Sequence, residues 1–386
     1  MQFLSKIVLK KFINEEISSI GFDSNYLSEG VKKHLFLSIK IFNLTPVQIN
    51  ILKQTALSLG CDCACHKNVI NCSIDYSNCI LSGSIKQIQE IAKKLEKQPF
   101  SLSKLANELL NHIEIEKKTK KSKIMGILNL TPDSFSDGGE FLALDKAMNH
   151  AIDMIEQGAD VIDIGAQSTR PGADLVSVSF EIEKIIPIVT ALKTAYPKIE
   201  LSVDTMSLAC TEASIEAGCD IINDVSFLNN PEFARICAKN NKKLVIMHSR
   251  GDSKTMDSLT HYESLVDDIY KELDSKIKTA LEIGLKKESL IIDPGFGFAK
   301  SIEQNFTLLN RIGEFKSLDC SILAGVSRKR FLQDVINTKE PKDADIQTLL
   351  AASYLIQNQI DYIRIHNVEL CNQALLFNQR LNNQLL

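Results

Sequence analysis

The chain has 386 residues, 44% of them hydrophobic, and a formal net charge of −4. This length suits one large and one small domain, each with a buried core, and the slight negative charge gives no reason to expect a nucleic-acid surface. No run of 18 apolar residues is present, so we predict no membrane span. The ten cysteines do not form the pattern of a disulfide framework, and residues 1–12 contain no long apolar segment. We therefore predict a reduced, cytoplasmic protein.

Residues 1–111 have the pattern of a small α+β module. Thr45, Pro46 and Gly60 have the positions of the N-cap, first residue and C-cap of one helix. Alternating apolar residues indicate strands, and an i, i+3, i+4 stripe indicates a second helix. The predicted order is β-α-β-β-α, with elements at 35–41, 46–59, 69–74, 79–82 and 85–95. The sequence does not indicate what this module does.

A cysteine-rich segment lies inside the module, Cys61-Asp-Cys-Ala-Cys-His66. It suggests a zinc site, which remains the alternative interpretation. The segment lacks the C-x₂-C spacing of structural zinc sites, and ligands this close in sequence would crowd a tetrahedron. We expect buried, reduced cysteines.

Residues 112–122 are rich in charge and have no apolar periodicity, which predicts a solvated linker to a second domain over 123–386. In that domain, short apolar strands alternate with amphipathic helices. The predicted strands lie at 124–129, 161–165, 201–204, 221–224, 243–248, 290–293, 321–325 and 362–366. Eight such units predict an α/β fold, a (β/α)₈ TIM barrel. A doubly wound sheet is the alternative, but the chain has no G-x-G-x-x-G motif.

Polar residues recur at the carboxyl ends of these strands, where a TIM barrel forms its active site. They are Asn129, Asp163, Asp204, Asn223, His248, Asp293 and His366, with Ser327, Arg328 and Lys329 after the seventh strand. Carboxylates can accept hydrogen bonds from the N–H-rich edge of a ring, and cations suit phosphate oxygens. The Asn129 oxygen suits Mg²⁺ that bridges a diphosphate. The set therefore fits a flat, donor-rich ring carrying a diphosphate. His248 could equally be a buried core histidine.

Seven motifs, in this order, resemble dihydropteroate synthase over about residues 123–386. They are NLTPDSFSDGG (129–139), DIGAQSTRPGA (163–173), SVDT (202–205), IND (222–224), DPGFGF (293–298), GVSRKR (325–330) and RIHN (364–367). The resemblance implies transfer of a 6-hydroxymethyl-7,8-dihydropterin unit from its diphosphate to 4-aminobenzoate, a step of folate biosynthesis. It also implies small-molecule substrates and a homodimer formed through the late barrel helices.

The resemblance assigns roles to individual residues. It implies Asn129 as the ligand of Mg²⁺ and Asp204, Lys329, Arg364 and His366 as catalytic. The pterin diphosphate set is Asp163, Thr169, Arg170, Asp204, Asn223, Met247, Asp293, Phe298, Lys329, Arg364 and His366. The 4-aminobenzoate set is Phe135, Pro171 and Ser327. Packing is the alternative role for Phe298, and hydrophobic anchoring of its loop is the alternative for Phe135.

The loop 129–139 would then be a mobile lid that excludes water, with Phe135 over the aryl ring. Arg330 replaces the small serine that is usual after this lysine, and would add charge at the mouth of the 4-aminobenzoate subsite, where sulfonamide mimics bind. Two other functions remain open from the sequence. One is a methyltetrahydrofolate methyltransferase, which has no use for the diphosphate groups Thr169, Arg170, Arg364 and His366. The other is a non-catalytic pterin-binding protein.

Overall fold

The computed structural model of the protein describes residues 4–118, 121–130, 139–167, 176–252 and 254–383. The chain divides after Lys118 into two compact units. Each unit has its own hydrophobic core. No helix among the described residues has the length and apolar character needed to cross a bilayer.

The N-terminal unit is a three-stranded antiparallel sheet in the order β1-β3-β2, with packed helices. Its core includes Ile49, Leu52, Leu81 and Ile88, each with no exposed surface. The elements are α1 (Ile13–Ser19), α2 (Leu27–His34), β1 (Phe36–Leu44), α3 (Pro46–Leu57), β2 (Asp62–Cys65), β3 (Ser77–Ser84), α4 (Ile85–Leu95) and α5 (Leu102–Lys117).

The prediction of a strand at 69–74 is wrong. The observed strand, which pairs with β3, lies earlier in the chain, at Asp62–Cys65 in the cysteine-rich segment. Cys63 and Cys65 lie opposite Leu81 and Cys79 of β3, and the Cys63 side chain is fully buried while its neighbours in β2 face outward. The cysteines therefore act as small apolar residues on the inner face of a strand. Within the described residues, no group of three or more His, Cys, Asp or Glu side chains could hold a metal ion.

The linker predicted at 112–122 also differs from the structure, since residues up to Lys117 belong to α5. Leu102, Ala106, Leu109 and Ile113 are buried at the spacing i, i+4, i+7 and i+11. This spacing is a helical stripe that continues into the charged segment, so Ile113 packs in the module core.

The second unit confirms the predicted (β/α)₈ TIM barrel: within the described residues, eight parallel strands close in the order β4 to β11. The strands are β4 (Lys123–Asn129), β5 (Val161–Gly165), β6 (Glu200–Asp204), β7 (Ile221–Asp224), β8 (Lys243–Met247), β9 (Leu290–Asp293), β10 (Ser321–Gly325) and β11 (Tyr362–Ile365). The helices are α6 (Gly139–Glu156), α7 (Val178–Ala195), α8 (Leu208–Glu216), α9 (Glu232–Lys239), α10 (Leu265–Ile283), α11 (Ile302–Asn310), α12 (Arg330–Asp334), α13 (Asp345–Gln357) and α14 (Val368–Asn383).

A layer of apolar side chains fills the centre of this barrel: Met125, Val161, Ile221, Val245, Ile291, Leu323 and Tyr362. Below it, at the amino ends of the strands, Glu200 accepts hydrogen bonds from Lys123 at 3.0 Å and Lys243 at 3.1 Å. Side chains of a strand alternate between its two faces, so the residue two positions further along points into the barrel again, one layer higher. This alternation determines which residues form the pocket at the carboxyl ends of the strands.

Candidate active site

The layer above the apolar centre contains charged and amide side chains. Two residues after Val161, Ile221, Val245, Ile291 and Tyr362 come Asp163, Asn223, Met247, Asp293 and Arg364. The strand pairings place Met247 opposite Asp293, and Asp204 at the end of β6 opposite Asn223. Residues far apart in sequence are thereby brought to one face of the barrel.

Arg364 connects two buried carboxylates. Its Nε donates to Asp163 Oδ2 at 2.6 Å, and its terminal Nη2 donates to Asp204 Oδ2 at 2.9 Å. Asp163 has no exposed surface, and it also faces the Asn223 amide, whose nitrogen lies 3.4 Å from Oδ2. The guanidinium therefore compensates two negative charges that would otherwise be costly to bury.

Asp204 keeps one hydrogen-bond acceptor without a partner. Burial raises the pKa of Asp204 to about 7, an effect that Arg364 opposes and Asp163 reinforces. Its second oxygen, Oδ1, is buried and has no hydrogen-bond partner in the described part of the protein. A buried acceptor of this kind is satisfied when a ligand brings an N–H group to it.

Asp293 and Lys329 belong to the same group of charges, since each interacts electrostatically with Arg364. Asp293 Oδ1 accepts a hydrogen bond of 2.7 Å from the Gly295 amide, and burial raises the pKa of this carboxyl. Burial lowers the pKa of Lys329 to about 8, with Arg364 acting in the same direction and Asp293 opposing. The Lys329 ammonium lies 4.3 Å from the centre of the Phe298 ring, a cation–π contact.

Ser327 and His366 form a pair at the ends of β10 and β11. The His366 amide donates to Ser327 Oγ at 3.1 Å, and Oγ lies 2.8 Å from His366 Nδ1. The hydroxyl hydrogen can therefore point to Nδ1. Ser327, which the resemblance assigns to 4-aminobenzoate binding, thus orients the imidazole.

Asn129 ends β4 with an exposed side chain, opposite Gly165 of β5. Four predicted site residues, Phe135, Thr169, Arg170 and Pro171, lie outside the described residues, as does most of the predicted lid 129–139. Arg330, predicted near the mouth of the subsite, is exposed and lies 3.5 Å from Asp257.

His248 is fully buried, and burial lowers its pKa to about 4, so the imidazole is neutral. It lies between Lys300 and Glu272, two residues that the sequence analysis missed. The signal for Lys300 was its place two residues after DPGFGF, still inside the loop that follows β9. Glu272 sits in the middle of a long amphipathic helix, where nothing in the sequence marks it.

The barrel and the buried charged side chains at the carboxyl ends of its strands define the class of protein, a (β/α)₈ enzyme with a polar site at that face. The family described as pterin binding enzyme matches residues 125–366. The dihydropteroate synthase of Synechocystis sp. is 40% identical over 251 residues, which are 65% of this chain and 86% of that protein.

A probable bifunctional folylpolyglutamate synthase/dihydropteroate synthase of Haloferax volcanii is 33% identical over 344 residues, covering 83% of this chain and 40% of that protein. Among solved structures, the Xanthomonas albilineans dihydropteroate synthase in complex with 7,8-dihydropteroate is similar with a TM-score of 0.61 and 32% identity. That match covers 68% of this chain and 94% of the solved chain. This chain therefore belongs to the dihydropteroate synthase family, whose members are transferases.

We expect Arg364→Gln to destabilise the protein by about 3 kcal/mol, because two buried carboxylates lose their counter-charge. The folded-state pKa of Asp204 is already above its unfolded value, and loss of Arg364 raises it further. A group of this kind contributes stability below its unfolded pKa that is lost as the pH rises through the folded pKa. The difference in free energy of unfolding between the wild type and the variant, measured by urea unfolding, should therefore be larger at pH 8 than at pH 5.

The matched control is Arg311→Gln, which removes an exposed two-bond pair with Glu314 at 2.6 and 2.7 Å. Arg311→Gln should lower the free energy of unfolding by less than about 1 kcal/mol at both pH values. An Arg364→Gln deficit of equal size at pH 5 and pH 8 would contradict the role of Arg364 as counter-charge.

Proposed function

We propose that this chain condenses 6-hydroxymethyl-7,8-dihydropterin diphosphate with 4-aminobenzoate, giving 7,8-dihydropteroate and pyrophosphate. The observation that carries the proposal is the pocket around Asp204. Its unpaired Oδ1, together with Asp293 and Asn223, offers acceptors to the N–H edge of a pterin, while Lys329 offers a donor to the ring oxygen. Membership of the family supports the same reaction.

The proposed mechanism is dissociative. The bond between the methylene carbon and the diphosphate oxygen breaks, and its electron pair leaves with the diphosphate. The amine lone pair of 4-aminobenzoate then forms the new carbon–nitrogen bond, and the amine proton passes to solvent. Arylamines are unprotonated at neutral pH, so the step needs no strong base. Asp204 stabilises the methylene cation electrostatically, and Arg364 and His366, with Thr169 and Arg170, bind the departing diphosphate.

The direct test uses the full chain with both substrates and follows dihydropteroate and pyrophosphate. Formation of both in equal amounts supports the proposal. Pterin binding without turnover would indicate the non-catalytic alternative, and methyl transfer from methyltetrahydrofolate would indicate the methyltransferase alternative. None of the ten cysteines, all within described residues, is in a disulfide, which fits our proposal that the protein works in the reducing cytoplasm.

Asp204→Asn should lower kcat by about 10²- to 10³-fold and change affinity for the pterin substrate much less. The amide keeps an acceptor oxygen for the ring but loses the negative charge that stabilises the cation. Since the pKa of Asp204 lies at about 7, the wild-type kcat should fall as the pH drops below 7, and this limb should vanish in the variant. Equal losses in kcat and in affinity would argue against the electrostatic role.

We also propose that Mg²⁺ assists binding of the diphosphate. Asn129 suits this role because its exposed amide stands at the carboxyl rim, and Mg²⁺ commonly binds one or two protein oxygens plus phosphates and waters. When bound, the ion would neutralise charge on the diphosphate. Asn129→Leu should raise the Mg²⁺ concentration for half-maximal binding of the pterin diphosphate by about tenfold. Binding of 6-hydroxymethylpterin, which has no diphosphate, is the control and should not change; a loss there would refute the assignment.

We propose a homodimer formed through α13 and α14. The two helices pack together and expose Ile346, Leu350, Leu376 and Phe377, each 57–65% exposed. Exposed apolar patches of this kind mark protein interfaces. Phe377→Glu should give a monomer by light scattering after gel filtration, whereas Leu281→Glu on α10 should not. A variant that remains dimeric would place the interface elsewhere.

A further inference from the structure

The loop between β9 and α11, residues 294–301, carries a buried lysine that the mechanism above does not use. The Lys300 side chain points back under its own loop, and the residue is only 6% exposed. Its Nζ lies 2.9 Å from the Gly295 carbonyl oxygen, 2.9 Å from the Phe298 carbonyl oxygen and 3.1 Å from His248 Nδ1. Three acceptors match the three hydrogens of an ammonium group, so the charged form of Lys300 satisfies every one of these contacts.

The surrounding loop is closely packed. Gly295 has a φ of +75°, and a Cβ added there would lie 1.9 Å from the His248 carbonyl oxygen. The Gly297 amide donates to Asn305 Oδ1 at 2.7 Å, which ties the loop to α11. In this closely packed loop, the carbonyl groups of Gly295 and Phe298 face Lys300.

His248 is held from both sides. A Lys300 ammonium can only donate to Nδ1, which places the imidazole proton on Nε2, 3.1 Å from Glu272 Oε2. The other Glu272 oxygen accepts from Arg250, whose guanidinium lies 3.9 Å above the Tyr262 ring. The geometry thus selects one histidine tautomer and orders four side chains from the loop after β8 to α10.

Charged groups from each packed element act on Lys300. Burial lowers its pKa to about 7; Asp293 of β9 and Glu272 of α10 oppose this, while Lys329 and Arg250 act with burial. The two carboxylates and the three acceptors favour the ammonium form and so oppose the effect of burial.

The loop held by Lys300 also supports the pterin pocket. Phe298, whose carbonyl accepts from Lys300, lies under the Lys329 ammonium, and a Cβ on Gly297 would lie 3.1 Å from Lys329 Cδ. We propose that Lys300, with His248, is a positioning residue that fixes Phe298, and through it Lys329, in the geometry that binds the pterin ring. This inference rests on the proposed function for the identity of the ligand.

The test compares Lys300→Met with Lys193→Met in the full chain. Lys193 is also partly buried and also donates to a carbonyl, Ile199 at 2.7 Å, and to a carboxylate, Asp220 at 2.6 Å, but at the amino ends of the strands. Lys300→Met should weaken direct binding of 6-hydroxymethylpterin about tenfold or more, while the Michaelis constant of the arylamine substrate should stay within about twofold. Lys193→Met should leave both unchanged, even if it lowers thermal stability.

A second pair of variants tests the histidine. His248→Asn retains an acceptor for Lys300 and should keep pterin affinity near that of the wild type, whereas His248→Leu should weaken it as Lys300→Met does. In ¹⁵N-histidine spectra, the wild-type His248 should show a protonated Nε2 and a hydrogen-bonded Nδ1, and the Nδ1 signal should move in Lys300→Met.

The inference is overturned if Lys300→Met weakens pterin binding and raises the Michaelis constant of the arylamine by the same factor. It is also overturned if His248→Leu binds pterin with wild-type affinity, or if His248 carries its proton on Nδ1. Pterin binding and the spectra do not depend on turnover. A wild-type chain that binds pterin but makes no dihydropteroate would therefore count against the proposed reaction and leave this inference standing.

Discussion

Burial of opposite charges side by side at the top of the barrel is the constraint on which the site depends. Arg364 donates hydrogen bonds to Asp163 at 2.6 Å and to Asp204 at 2.9 Å, and its positive charge offsets the cost of burying these two carboxylates. The three side chains come from β5, β6 and β11, so their contact exists only when the barrel is closed. Folding and the assembly of the pocket are therefore one event.

Some buried charged groups of the pocket are not fully compensated by the partners that the protein supplies. Burial raises the pKa values of Asp204 and Asp293 and lowers that of Lys329, so each group is held in an environment that disfavours its charge. A ligand with N–H donors and a carbonyl oxygen supplies the missing partners. In the function that we propose, the same groups that cost stability in the free protein provide affinity and charge stabilisation for the pterin diphosphate.

The support beneath this pocket consists of ordered hydrogen bonds as well as packing. Asp224, fully buried at the end of β7, accepts from the Ser226 amide at 2.8 Å and the Leu228 amide at 2.9 Å, and so fixes the loop that carries Phe227. Phe227 packs 5.1 Å from the His248 ring. Loops that follow β7, β8 and β9 are therefore coupled, which explains why the pocket residues keep their geometry although they stand at strand ends.

Local patterns were enough to predict the barrel, because each strand is a short apolar run and each helix carries its own stripe; the eight predicted strands match the observed ones to within a residue at either end. The same patterns identified the polar strand ends, since a parallel barrel brings all such ends to one face. Prediction failed where the local pattern was weak. The strand at Asp62–Cys65 forms because it pairs with β3, and α5 extends into the charged segment because Ile113 packs in the module core. Lys300 and Glu272 could be found only in three dimensions, because their importance lies in hydrogen bonds to His248, across 52 and 24 positions of the chain. Periodicity records which face of an element is buried, but it carries no information about which distant polar atom will meet another.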